Sequence, residues 1–167
     1  MNINTDEAIK SLEAGLVIGV PTDTVYGLSS LKQFGSKIYE VKNRDKAKKL
    51  VTMLSDVNQI DVTNQILLQK MEEVWPGPVT LIFDYQGEMT SFRIPDEPNL
   101  LALLEKLGKP IYTTSANISG KEPCLTRGEF NSEFPNIGLL NEEYDSQKST
   151  VPSEIYVFKN DKFERIR

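Results

Sequence analysis

Histidine is absent from this 167-residue chain, and cysteine occurs once, at Cys124. The first absence excludes Ser-His-Asp and Cys-His catalysis, histidine-ligated zinc and a histidine general base. The second excludes an internal disulfide and a multi-cysteine metal site. It also leaves Cys124 with no histidine to activate it as a nucleophile. Long apolar runs are missing too. Segments such as Leu16–Val20 and Leu100–Leu104 fall far short of the about 18 residues that a membrane-spanning helix needs. Asp6, Glu7 and Glu13 stand where a secretory leader would place its apolar stretch. The expectation is a soluble cytoplasmic protein with no membrane association, a single domain over residues 1–167 with a core of its own.

The formal net charge of −5 is unevenly spread. Residues 32–49 carry Lys32, Lys37, Lys42, Arg44, Lys46, Lys48 and Lys49 against only Glu40 and Asp45, whereas residues 128–147 contain five acids and no base. One basic segment in an acidic chain suits a compact anionic ligand better than a long nucleic-acid track. A solvated, lysine-rich helix face would leave the same trace.

Asn4-Thr-Asp-Glu7 predicts a capped helix that ends at Gly15, and Leu16–Val20 a buried strand stopped by Pro21. Helices are expected over 35–44, 56–73 and Asn99–Leu107, the last closed by Gly108. Strands are expected at Leu50–Leu54, Val79–Phe83, Ser91–Ile94 and Pro110–Thr114. A hairpin pairs Glu154–Phe158 with Lys162–Ile166. The polar stretch 123–149 reads as loop with one short helix. Alternating helices and strands with a closing hairpin give an α/β (α+β) class, a mixed sheet with helices packed on it.

Four segments stand at the ends of these elements, where α/β sheets tend to place ligand sites. Pro21-Thr-Asp-Thr-Val-Tyr-Gly-Leu28 is either a small-ligand loop or an ordinary turn in which Asp23 bonds its own backbone. Lys42 and Arg44, two apart on a helix, point about 200° apart. They converge on one ligand only if the helix ends near residue 43. In Ser91-Phe-Arg-Ile94, strand alternation sets Arg93 on the face opposite Phe92 and Ile94, either solvated or clamping an anion. Thr113–Ser119 packs four hydroxyls and Asn117 into seven residues, a pattern better suited to hydrogen-bonding a ligand than to packing. No Walker A, GxGxxG or glycosidase pattern is present. Cations and hydroxyls without a nucleophile or base suit binding, or a reaction driven by positioning and charge stabilisation such as nucleotidyl transfer.

In order along the chain, these segments resemble the YrdC family of threonylcarbamoyl-AMP synthases, in its short form. The matching strings are Pro21–Leu28, Lys42-x-Arg44 with Lys48-x-Leu50, Trp75-Pro-Gly-Pro-Val-Thr80, Arg93-Ile-Pro95, Thr114-Ser-Ala-Asn-Ile-Ser-Gly120 and Pro152-Ser-Glu-Ile155. The resemblance implies a twisted, mostly mixed sheet flanked by helices, with a concave basic groove. It implies condensation of L-threonine, bicarbonate and ATP to threonylcarbamoyl-AMP and pyrophosphate, for the N6-threonylcarbamoyladenosine modification of tRNA. A separate transferase complex would act next, and contact with tRNA would be indirect. Magnesium would arrive with ATP rather than sit in a protein-built site. The resemblance assigns Lys42 and Arg44 to catalysis. Thr24, Arg93, Ser115 and Ser153 would hold threonine, while Arg44, Lys48, Asn117 and Arg165 would hold ATP. Short relatives end in an Arg-x-Gly string, where this chain has Arg165-Ile-Arg167, so Arg165 matches their arginine and Arg167 departs from their glycine. Met53 stands where some relatives have a histidine.

Two other readings fit parts of the pattern. One is a non-catalytic RNA-binding module using the basic segment, against which the acidic remainder argues. The other is a carbamoyl-adenylating domain serving a different acceptor.

Overall fold

The computed structural model describes residues 1–145 and 148–167. A short strand β1 (Asn2–Ile3) leads into helix α1 (Thr5–Glu13). The Asn4 side chain accepts from the Glu7 amide and the Glu7 carboxylate accepts from the Asn4 amide, the expected capping box. Strands β2 (Ile18–Val20) and β3 (Gly27–Leu31) pair antiparallel around the Pro21–Tyr26 loop. Helix α2 (Ser36–Lys42) stops where Asn43 turns left-handed at φ 51°. There follow β4 (Val51–Met53), α3 (Gln65–Val74), β5 (Val79–Tyr85), β6 (Glu88–Arg93), α4 (Pro98–Leu107) and β7 (Ile111–Ser115). Helix α5 (Arg127–Glu133), β8 (Leu139–Leu140) and the hairpin β9 (Glu154–Lys159) and β10 (Lys162–Arg165) complete the order.

Among the described residues, ten strands form one mixed sheet in the order β1-β8-β2-β3-β7-β4-β6-β5-β9-β10. The α/β class is as the sequence implies. Alternation along β5 and β6 separates two faces. Leu81, Phe83 and Phe92 pack with Leu67 and Met71 of α3 and with Trp75. Thr80, Ile82, Ser91 and Arg93 point the other way, into a cleft. Helices α1 and α4 bury Ala8, Leu12, Leu100, Leu103 and Leu104 with Ile18, Val20 and Leu31. Helix α5 brings Phe130 onto Leu28 and Leu139. A Cβ at Gly19 would lie 2.2 Å from the Phe130 ring, so β2 needs glycine there for α5 to close down.

Residues 56–73 are not one helix. A 3-10 turn covers Val57–Gln59 and α3 starts only at Gln65, because Asp56 and Asn64 each cap a separate start. β3 is absent from the sequence pattern because Ser29 and Ser30 are polar yet fully buried. Ser29 meets the Thr113 hydroxyl of β7 at 2.8 Å, and Ser30 donates to the Leu31 carbonyl. Within 123–149, α5 is the one expected short helix and β8 is an addition that joins β1 to β2. Residues 146–147 of that stretch lie outside the described residues.

Candidate functional site

The cleft measures about 560 Å³, within the range of small-molecule sites. Its apolar wall includes Val51, Met53, Ile82 and Ile155, and hydroxyls come from Thr24, Thr80, Thr114, Ser115 and Ser153. Arg44, Arg93 and Arg167 enter it from three elements, and no carboxylate, cysteine or histidine is among the described residues that line it.

Arg93 is only 4% exposed, at the end of β6. Its Nε donates to the Gly77 carbonyl at 3.1 Å, Nη1 to Thr24 Oγ1 at 3.2 Å and Nη2 to Asp23 Oδ1. Burial lowers its pKa and the Asp23 carboxylate opposes that shift. The Gly77 carbonyl is presented by the Trp75–Pro78 turn, where a Cβ on Gly77 would meet the Val74 carbonyl oxygen at 2.6 Å. Asp23 Oδ2 is buried without a hydrogen-bond partner. Asp23 is a residue that sequence reasoning missed, because the motif around it reads equally as a turn. The available signal was Arg93 itself, since a buried cation needs a carboxylate.

Beyond Asn43 the chain reverses, which is the condition for Lys42 and Arg44 to act together. Lys42, 1% exposed, donates to the Ser115 carbonyl and, at 2.8 Å, to Asn117 Oδ1. Burial, with Arg44 nearby, lowers its pKa to about 8. Asn117 Oδ1 also accepts from Ser115 Oγ, and Asn117 Nδ2 donates to the Ile118 and Lys121 carbonyls. Its hydrogen-bonding capacity is thereby filled by the loop together with Lys42. Arg44 reaches the same loop from the other side, with Nη1 3.3 Å from Thr114 Oγ1.

Across the sheet, Ser153 Oγ lies 2.8 Å from Thr80 Oγ1. Arg167 donates through Nε to the Ser153 carbonyl and through Nη2 to Ser153 Oγ. Arg165 points away and pairs with Glu154 at 3.3 Å on an exposed edge.

Of the residues singled out from sequence, Thr24, Arg44, Arg93, Ser115 and Ser153 therefore line one cleft. Lys42 and Asn117 lie behind its wall, bonded to each other, while Lys48 is exposed and outside the lining set, as is Arg165. Thr80 and Arg167 join the site although the motifs that contain them carried no assignment to them. Alternation with Leu81 and Phe83 was the available signal for Thr80, whereas Arg167 lies beyond the end of β10, where alternation gives no direction.

The Sua5/YciO/YrdC family model, which carries the description "Telomere recombination", matches residues 10–167. The chain belongs to the Sua5/YciO/YrdC family. A Rattus norvegicus relative named threonylcarbamoyl-AMP synthase is 34% identical over 148 residues, covering 80% of this chain and 53% of its own. The Aliivibrio fischeri protein of that name is 28% identical over 171 residues, covering 91% and 92%. The chain thus spans about half the length of the mammalian relatives it matches and nearly all of the bacterial one. The crystal structure of P. abyssi Sua5 complexed with L-threonine superposes with a TM-score of 0.87 at 21% identity, covering all of this chain and 56% of that one. E. coli YciO gives 0.81 at 19%, covering 100% and 95%. At these identities the two structures establish the shared fold.

Proposed function

We propose that this chain is a threonylcarbamoyl-AMP synthase, one domain over residues 1–167 that condenses L-threonine, bicarbonate and ATP. The observation that carries the reading is the cleft's polarity. Arg44 and Arg167 have no carboxylate in ion-pair reach among the described residues, hydroxyls surround them, and no cysteine, histidine or carboxylate that could attack or activate a hydroxyl lines the walls. Such a site suits substrates that bring both the negative charge and the attacking group. The names of the relatives and the threonine bound by a protein of the same fold support the same substrates.

In this reaction the threonine amine combines with bicarbonate to give a carbamate and water. A carbamate oxygen then attacks the α-phosphorus of ATP, and the bond from that phosphorus to the bridging oxygen breaks as pyrophosphate leaves. Arg44 stabilises charge on the phosphates, with Lys48 as a second, solvent-side cation. Thr24, Ser115 and Ser153 orient threonine, and Arg93 offers its remaining N–H groups from a fixed position. Lys42 and Asn117 act on the nucleotide through the Thr114–Ser119 loop they brace.

Magnesium fits as a companion of ATP. Phosphate oxygens and water would supply most of its ligands, as is usual for magnesium that arrives on a nucleotide. The product would pass to a transferase complex that modifies tRNA in the cytoplasm. No helix among the described residues is long and apolar enough to cross a membrane. Incubation with ATP, magnesium, threonine and 13C-bicarbonate tests the reading. The adenylate should carry the heavy carbon, and an adenylate without it would show that bicarbonate is not the carbon source.

A further inference from the structure

The connection from β8 to β9 runs through residues 141–145 and 148–153 and, over these described residues, forms neither helix nor strand. Its backbone polar groups must therefore find partners elsewhere in the fold. Those of Glu143 and Tyr144 find them in one buried side chain. Asn99, 4% exposed near the start of α4, accepts at Oδ1 from the Glu143 amide at 2.7 Å and the Tyr144 amide at 2.9 Å. Its Nδ2 donates to the Tyr144 carbonyl at 3.0 Å and to Glu97 Oε1 at 2.7 Å. Both N–H groups and both acceptor positions of the amide are thus in use, which leaves the side chain a single orientation. Glu97 is fully buried and fixed in its turn, accepting from the Leu100 amide at 2.6 Å.

The anchored connection then grips the loop after β2. Glu142 accepts from Tyr26 Oη at 3.1 Å and pairs with Lys148, whose Nζ sits 3.9 Å from the centre of the Tyr26 ring. The Ser149 amide donates to the Asp23 carbonyl at 2.9 Å. Asp23 and Thr24 are the residues that hold two edges of the Arg93 guanidinium. The connection ends at Pro152 and Ser153 in the cleft wall itself. Asn99 does not line the cleft, yet both walls of its threonine end hang from the segment that Asn99 pins. Arg44, on the ATP side, draws its partners instead from Thr114 and the carbonyls of Lys48 and Lys49.

We propose that Asn99 is a positioning residue that sets the threonine end of the cleft by pinning the β8–β9 connection. It rests on the synthase reading only for the ligand that this end receives.

The test measures kinetic constants for threonine and ATP on the full chain and on Asn99→Ala. The variant should raise KM for threonine by about ten-fold or more and leave KM for ATP within about two-fold. A residue that merely stabilises the fold would lower the melting temperature while leaving both constants alone or raising both alike, and either result would overturn the proposal. Asn99→Asp, which keeps the acceptor for both amides, takes its place if Asn99→Ala does not fold, with the same split expected on a smaller scale. Failure of both to fold would assign Asn99 to the fold alone and overturn it too. Amide hydrogen exchange on the same samples compares residues 21–28 with α3, which packs on the sheet face opposite the cleft. Exchange should quicken in 21–28 and hold in α3, whereas equal quickening in both, or none in 21–28, would contradict the positioning role. If the wild type forms no threonylcarbamoyl-AMP while Asn99→Ala still loosens 21–28 alone, the synthase reading falls and the positioning role stands.

Discussion

Lys42 Nζ and Asn117 Oδ1 meet at 2.8 Å behind the cleft wall, joining the last residue of α2 to the loop that follows β7. The Lys42 backbone completes the joint, since its carbonyl accepts from the Ser119 amide. Lys42 thus acts on the ligand through the loop and through its charge.

That charge titrates within an accessible range. With its pKa lowered to about 8, Lys42 is protonated below that value and neutral above it. Arg44 and Lys48 push the proton off, while Cys124 favours keeping it. An anionic ligand favours the protonated form, so ATP affinity should fall as pH rises through about 8 and beyond. Lys42→Arg, whose guanidinium stays charged, should hold its affinity to higher pH. Identical alkaline limbs in the two proteins, read from ATP binding against pH, would remove Lys42 from the account. Folding stability should move the opposite way. Between about 8 and the usual lysine value of 10.5, the unfolded chain binds the extra proton, so this group adds stability as pH rises.

Arg44→Ala should cost about 2–4 kcal/mol of ATP binding or transition-state stabilisation, the range for a charge-assisted contact on a reacting phosphate. Lys48→Ala should act in the same direction by less, because Lys48 is exposed and screened by solvent. Titration of ATP into each variant orders the two, and a larger effect at Lys48 would place the phosphates outside the cleft.

The Asp23–Arg93 pair makes a stability prediction. Asp23→Ala leaves a guanidinium 4% exposed with no counter-ion, and breaking a buried pair from one side costs about 3–5 kcal/mol. Chemical denaturation should show that loss, and the double replacement Asp23→Leu with Arg93→Met should recover much of it. A single variant as stable as the wild type would mean that Arg93 draws little from Asp23.

The apolar wall of Val51, Met53, Ile82 and Ile155 offers a surface for the methyl of threonine. One methyl supports about 10–200-fold discrimination, so kcat/KM for threonine should exceed that for serine within this range. Equal use of serine would show that the methyl meets no wall.

Much of this site was legible in the sequence because its parts obey short-range rules. The Asn4–Glu7 capping box and the alternation that separates Phe92 from Arg93 each follow from a few neighbouring residues, whereas the helix expected over 35–44 stops two residues early, at the left-handed Asn43. What escaped depends on distant partners. Ser29 and Ser30 form a buried strand only because Thr113 and a neighbouring carbonyl take their hydroxyls. Asp23 becomes a counter-ion only because the sheet brings β6 to the loop after β2. The apolar spacing of residues 56–73 carries the period of a single helix, and the two caps at Asp56 and Asn64 override it. Lys42 and Asn117 were recognised as parts of the site, yet their bond to each other needed the fold to reveal it.

Pyrophosphate release tests the central claim most directly. The full chain is given ATP and magnesium, with threonine and bicarbonate each omitted in turn, and the adenylate is detected by mass. The account predicts release only when both cosubstrates are present, together with a threonylcarbamoyl-AMP peak. Release that ignores threonine, or ATP binding with no release under the complete mixture, would contradict it.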